Sequence, residues 1–294
     1  MKIIAYRKFA YIFSGIVMIA CLAAISVWGF RWGTDFTGGS LIEVKFLADR
    51  PSSDILASRL GDAFGKVSIQ PTGEKNVILR ARDLTEVEHQ ALLTQIAGIA
   101  DHKTVLEEAR FDSIGPVIGA ELKRKSVTAI ALVLVMIIIF ITYAFWGVSH
   151  PVASWKYGVA AIVALAHDVI VSTGVFSVLG HYYGVEVDTL FVTALLTILG
   201  FSVHDTIVVF DRIRENLKRH GKQAYDEIVG ESLHQTIGRS LATTFVVILV
   251  LAALFYYGAA STKYFALALI VGMTSGAYSS IFVASPLLVT WHKF

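Results

Sequence analysis

Six stretches of this chain are each long and apolar enough to cross a lipid bilayer, and that feature decides most of what it can fold into. The hydrocarbon core is about 30 Å thick and a helix rises about 1.5 Å per residue, so a span needs about 20 mostly apolar residues. Residues 9–30, 127–146, 157–179, 189–210, 241–260 and 264–290 meet that requirement. Composition agrees: 55% of the 294 residues are hydrophobic and 16% charged, against about 45–50% and about 25% in soluble domains. A disordered chain, a nucleic-acid-binding domain with a basic surface and an ordinary cytosolic enzyme are thereby excluded. The formal net charge of +2 points to no polyanionic partner. The single cysteine, Cys21, leaves no intramolecular disulfide and no cysteine-based metal cage.

The first stretch follows Lys2, Arg7 and Lys8, as a signal peptide would, but its apolar run is about twice a signal h-region and no A-x-A site closes it. It reads as an uncleaved signal anchor. Lys and Arg in the short loops set the orientation. With the N-terminus in the cytoplasm, Lys2, Arg7, Lys8, Lys156, Arg212, Arg214, Lys218, Arg219, Lys222, Arg239 and Lys293 share that side. The opposite short loops hold no Lys or Arg near His181 and only Lys263 near Ser261. Lys123, Arg124 and Lys125 run against the bias, but they end a loop longer than the ~60 residues over which the rule operates. The expected topology places both termini in the cytoplasm and the large loop outside.

The chain divides into residues 1–30, an N-terminus and first span; 31–125, an outer domain; and 126–294, a five-span bundle with a cytoplasmic loop over 211–240. In the outer domain Ile42, Val44 and Phe46 alternate with polar neighbours as a half-buried strand. Ser52 and Ser53 open a helix with Leu56, Leu60, Ala63 and Phe64 on one face. Residues 66–70 read as a strand turned by Pro71 and Gly73, and 76–82 as a third strand. Thr85 and Glu88 form a capping box for a helix with Leu92, Ile96, Ile99 and Ala100 on its apolar face, and 104–111 is a last strand. The expected fold class is therefore an α-helical polytopic membrane bundle of six spans carrying an α+β, βαββαβ ferredoxin-like domain. That domain hosts unrelated functions, so it names none.

Asp35-Phe-Thr-Gly38-Gly39-Ser40 lacks the Lys and following helix of a phosphate loop, so the glycine pair reads as a tight turn into a strand. Gly115 and Pro116 mark the exit from the domain, with Pro116 starting a helix that runs into the second span.

The spans carry more chemistry. His167-Asp168-Val-Ile-Val in the third and His204-Asp205-Thr-Ile-Val in the fourth are near copies. An ionised Asp in a bilayer costs about 2.5–3.5 kcal/mol even on the lenient insertion scale. Arg239 opens the fifth span with Thr236 and Thr243 close to its face, and Ser202 and Arg212 lie within about 60° of Asp205 on the helical wheel. A polar seam between spans three, four and five follows. These residues either glue helices through hydrogen bonds or conduct protons or ions. Catalysis fits poorly, because no nucleophile accompanies the His–Asp pairs. Neighbouring His and Asp point about 100° apart, unlike the i, i+4 pairs of helical zinc ligands, so no metal and no cofactor is expected. The 211–240 segment mixes both charges, which reads as an amphipathic helix or docking loop rather than a nucleic-acid surface.

Taken together, Asp35-Phe-Thr-Gly-Gly39, Ile114-Gly-Pro116 with Gly119-x-Glu-Leu122, His167-Asp168, the block from Phe201 to Asn216 and Ser232 to Ser240 resemble the SecD/SecF family of the RND superfamily, on the side of its smaller, SecF-type members. The resemblance covers essentially the whole chain and implies a non-enzymatic subunit that acts with SecD beside the SecYEG translocon, with YajC and YidC as further partners. Its energy source is the proton gradient and its substrate an unfolded preprotein. Carried over by position, Asp205 is the proton-responsive carboxylate and Arg239 its charged counterpart, with Thr243 nearby. Asp168 and His204 complete the candidate relay residues, and a milder effect of Asp168→Asn is expected if Asp168 mainly ties spans three and four through hydrogen bonds. Relatives commonly place Asn where His204 stands; histidine there adds a group that ordinarily titrates near neutral pH. Two rival readings are a half-size RND exporter of lipids or small molecules, and a membrane-anchored periplasmic chaperone without ion flow.

Overall fold

The computed structural model describes residues 4–47, 50–60, 63–65, 67–99, 106–145, 153–219 and 223–292. Lys2, Lys66, Ala100, Thr104, Trp146, Lys222 and Lys293, named above, lie outside the described residues. The chain separates into two compact units, Met1–Arg31 with Thr128–Val185 and Leu190–Phe294, and Trp32–Val127 with Glu186–Thr189.

The membrane unit is built from α1 (Arg7–Trp28), the greater part of α5 (Pro116–Ala144), α6 (Ser154–Tyr183), α7 (Thr189–Arg219), α8 (Tyr225–Tyr257), α9 (Ala260–Ser279) and α10 (Ser285–His292). Among the described residues six helical spans are long and apolar enough to cross a membrane, α9 and α10 counting as one, so this is a multi-pass membrane protein. Burial sorts them into centre and rim. Half of the apolar window of α6 and of α7 is buried, and 67% of the α9–α10 window, against 6% in α5. The centre is therefore α6, α7 and α9–α10, with α1 packed on α6 and α8 on α9.

Small residues permit that packing where lipid supplies no hydrophobic drive between helices. A Cβ on Gly272 of α9 would sit 2.1 Å from Ile198 Cδ1 of α7, one on Gly276 3.0 Å from Ser202 Cβ, and one on Gly174 of α6 2.3 Å from Cys21 Cβ of α1. Between α9 and α10 the helix widens into a π turn over Ser280–Ala284, just ahead of Pro286, whose ring cannot continue a regular helical ladder.

The 211–240 segment, read as an amphipathic helix or a docking loop, is mostly helix, because α7 runs on to Arg219 and α8 begins at Tyr225. Charge pairs one turn apart sustain the extension: Arg212–Glu215 at 2.5 Å, Arg214–Asp211 at 3.3 Å and Arg219–Glu215 at 2.7 Å. The two helices are then tied by Asn216 Nδ2, which donates to Ser232 Oγ at 2.8 Å and to Gln235 Oε1 at 2.9 Å.

The second unit holds α2 (Thr34–Thr37), β1 (Gly39–Phe46), α3 (Ser53–Leu60), β2 (Ser68–Thr72), β3 (Asn76–Ala81), α4 (Glu86–Ile99) and β4 (Leu106–Ile114). The sheet order is β2-β3-β1-β4 and every neighbouring pair is antiparallel. Its core gathers Ile42, Val44 and Phe46 with Leu56, Leu60, Leu92 and Ile96, while Ala63 lies beyond the end of α3 and is exposed. Pro71, expected to turn the chain, sits within edge strand β2 opposite Val77, where its missing N–H breaks no interior ladder bond. The N-terminus of α4 is a capping box: Thr85 N donates to Glu88 Oε2 at 2.9 Å and Glu88 N to Thr85 Oγ1 at 3.4 Å. The Arg82 guanidinium beside Glu88, joined by the Thr85 N–H and hydroxyl, holds the Glu88 carboxyl down to about 2.

Candidate functional site

Among the described residues two buried carboxylates occupy the membrane unit, one on α6 and one on α7. Asp168 is fully buried, 0% exposed, and every side of its carboxylate meets a donor. Oδ2 accepts Ser202 Oγ of α7 at 2.6 Å and Ser279 Oγ of α9 at 2.8 Å. Oδ1 accepts Ser275 Oγ of α9 at 2.7 Å and lies 3.1 Å from His167 Nδ1. A carboxylate offers about four lone-pair sites, so this one is saturated. Bonds to a charged acceptor contribute about 1.5–3 kcal/mol each, so the cluster pins α6, α7 and α9 to one another. His167 is buried with it, and its Nε2 has no hydrogen-bond partner among the described residues.

Asp205 is also buried but is served differently. Its Oδ2 accepts Ser240 Oγ of α8 at 2.8 Å, which is its one side-chain bond among the described residues. His204 faces outward and is exposed, unlike its counterpart His167. Ser202, placed on the wheel near Asp205, turns instead to Asp168, and Arg212 bonds Gln235 and Glu215 farther along α7.

Arg239 and Thr243 lie on the exposed side of α8, with Thr243 Oγ1 donating to the Arg239 carbonyl at 2.9 Å. Arg239 makes no ion pair among the described residues, so the structure does not bring it to Asp205. The buried stripe of α8 runs one position off, through Ser232, Thr236, Ser240 and Thr244. An i, i+4, i+8 run of hydroxyl residues was the available signal for that face. Ser275 and Ser279 form the same kind of pair on α9 and escaped notice because small hydroxyl residues blend into an apolar span.

The glycine-pair motif is a local fold device in the second unit. Gly38 and Gly39 have φ of +76° and +131°, and a Cβ on Gly39 would meet the Ala81 carbonyl oxygen at 2.5 Å. Asp35 accepts Thr189 N at 2.9 Å and the Thr189 hydroxyl as well, both within the second unit. Gly115 precedes Pro116 at the start of α5, and a Cβ on Gly119 one turn later would meet Gly38 N at 2.9 Å. Among the described residues no group of three or more His, Cys, Asp or Glu is placed to hold a metal ion.

Comparison with known proteins follows the same division. The model of the SecD/SecF GG motif matches residues 24–46, and that of the protein export membrane protein SecD/SecF, C-terminal, matches residues 95–294. Protein translocase subunit SecF of Thermobaculum terrenum is 40% identical over 302 residues, covering 99% of this chain and 94% of the relative. The SecF of Vibrio alginolyticus is 38% identical, covering 96% and 87%. Among solved structures, SecDF, a translocon-associated membrane protein from Thermus thermophilus, aligns over 100% of this chain with a TM-score of 0.86 at 28% identity. SecDF in its super-membrane-facing form gives 0.70 at 29%. This chain spans 39% of the length of each of those SecDF chains.

Proposed function

The chain belongs to the SecD/SecF family of protein export membrane proteins, and from that premise we propose that it is the SecF-type accessory subunit of the Sec preprotein translocase. In this reading it pairs with SecD beside SecYEG, with YajC and YidC as further neighbours, and couples the proton motive force to late export of an unfolded preprotein. It is not an enzyme and uses no cofactor. Both termini face the cytoplasm of the bacterial inner membrane, consistent with Arg7, Lys8 and the basic end of α7, Lys218 and Arg219, sharing one side. The second unit is the extracytoplasmic domain, and its βαββαβ order with antiparallel sheet supports a ferredoxin-like fold.

The observation that carries the mechanism is the sparse coordination of Asp205, a buried carboxylate with a single hydroxyl partner. Such a group can gain or lose a proton without breaking a network, provided a cation can approach and leave. Arg239 is one residue from the Ser240 that now holds Asp205, about 100° around α8, and its side chain is long. A partial turn of α8 would exchange hydroxyl for guanidinium, driving the proton off; the reverse turn would let one bind. The exposed face of α8, with Arg239, Thr243 and Phe245, is the surface this reading gives to SecD.

The test is reconstitution with SecD and SecYEG in inverted vesicles, following export after ATP-driven initiation. Stimulation that an uncoupler removes supports the reading. Copurification without SecD or SecY favours a half-size RND exporter, and stimulation indifferent to the uncoupler favours an anchored chaperone.

A further inference from the structure

His167 is a buried titratable residue of the bundle that this mechanism does not use. Its ring lies at 3% exposure on α6, with Nδ1 3.1 Å from Asp168 Oδ1 and 3.4 Å from Ser275 Oγ. Nε2 is buried and has no hydrogen-bond partner among the described residues. The other titratable groups recorded against it are Asp168 on its own helix and Tyr278 on α9, whose ring centroid is 5.8 Å away. Tyr278 is itself engaged: its hydroxyl pairs with Ser14 Oγ of α1 at 2.9 Å and donates to the Ala10 carbonyl at 3.3 Å. From α7 the cluster receives Ser202, which does not titrate in this range.

The geometry decides where a proton can be held. All four lone-pair sites of Asp168 face donors, so protonating the carboxylate means ejecting a hydroxyl or the imidazole N–H. The same carboxylate fixes the imidazole tautomer, since only an Nδ1–H can face Oδ1 favourably. Nε2 is then a buried lone pair with no protein donor on it among the described residues. A proton arriving from the aqueous phase forms the Nε2–H bond and turns a buried anion with a neutral ring into a neutral carboxylate–imidazolium pair. We infer that His167 Nε2 is a proton-binding atom of this bundle, with Asp168 as the positioning residue that keeps it available. This deepens the proton-coupled reading and rests on it for its role in export, but not for the titration itself.

The experiment is nitrogen NMR of the full chain in lipid nanodiscs between pH 5 and 9. Ala166–His167 is the one Ala–His step in the sequence, so carbonyl-labelled Ala with nitrogen-labelled His isolates His167 without any substitution. The expected result is an Nδ1–H, Nε2-bare imidazole at high pH that becomes doubly protonated as pH falls, while the carboxyl band of Asp168, assigned with Asp168→Asn, stays that of an ionised carboxylate. Asp168→Asn should lose the single-tautomer signature, which a merely space-filling role would not predict. His167→Asn, which keeps an amide donor toward Asp168, should insert normally and flatten the pH profile of stimulated export. A His167 signal unchanged across the range, or a protonated Asp168 band appearing in it, overturns the proposal. If Asp205→Asn exports like the native chain while His167 titrates as described, the export mechanism fails and this site stands.

Discussion

The His–Asp pairs of α6 and α7 share nearly the same sequence and end in opposite circumstances. On α6 both residues are buried and the carboxylate gathers three serine hydroxyls and an imidazole from its own and two neighbouring helices. On α7 the histidine is exposed and the carboxylate keeps a single serine. The difference comes from what faces each helix, not from the pair itself: α6 meets the Ser275–Ser279 edge of α9 at close range, whereas Asp205 meets the Ser240 position of α8. A saturated carboxylate fastens helices, and a sparsely bonded one is free to change its proton. Donor number thus separates the helix tie at Asp168 from the carboxylate proposed above to couple a proton.

The largest consequence is for stability. Asp168→Leu strands three hydroxyls and an imidazole, and should lower the stability of the detergent-solubilised bundle by about 3 kcal/mol or more. Asp205→Leu strands one hydroxyl that can turn back to its own helix, and should cost about 1 kcal/mol or less. Equal losses in thermal unfolding would remove the distinction. Next, Gly272→Ala forces a methyl against the buried Ile198 and should cost about 1–3 kcal/mol. Trimming Ile198 to Ala in the same chain should recover part of it, a coupling that non-contacting positions would lack. Ser275→Ala and Ser279→Ala should each cost about 1.5 kcal/mol, with the double variant sub-additive because both serve one carboxylate.

The second unit offers the same rule outside the spans. Glu88 receives the Arg82 guanidinium, the Thr85 N–H and the Thr85 hydroxyl, and its carboxyl falls from an ordinary 4.5 to about 2. Because the folded value lies below the unfolded one, its contribution is fully present above about pH 4.5 and is lost as pH falls through about 2. Carboxyl NMR should show Glu88 still ionised at pH 3, and Glu88→Gln should flatten that part of the pH–stability curve. A Glu88 midpoint near the ordinary value would break the link between donor number and proton affinity.

The spans were legible because length and hydropathy leave a bilayer segment few alternatives, and the outer strands because Ile42, Val44 and Phe46 alternate cleanly. Pro71 misled because proline's turn preference is indistinguishable in sequence from its tolerance at a sheet edge. The charged run after Phe210 leaves amphipathic helix and docking loop both open in sequence, although Arg212, Glu215 and Arg219 are spaced to hold a helix together. The two aspartates were legible as exceptional, but not their partners. Ser240, Ser275 and Ser279 carry no signal singly, and the wheel was read through Arg239 and Thr243 when the buried stripe passes through Thr236, Ser240 and Thr244.

The central claim is that Asp205, not Asp168, is the carboxylate whose proton drives export. It is tested most directly by comparing Asp205→Asn, Asp168→Asn and the native chain, each assembled with SecD and SecYEG in inverted vesicles, with and without an uncoupler. Asp205→Asn should insert, bind SecD and export only at the uncoupled rate in both conditions, while Asp168→Asn keeps a clear part of the uncoupler-sensitive stimulation. If Asp205→Asn exports like the native chain in both conditions, Asp205 is another helix tie and the proton-coupling account is wrong.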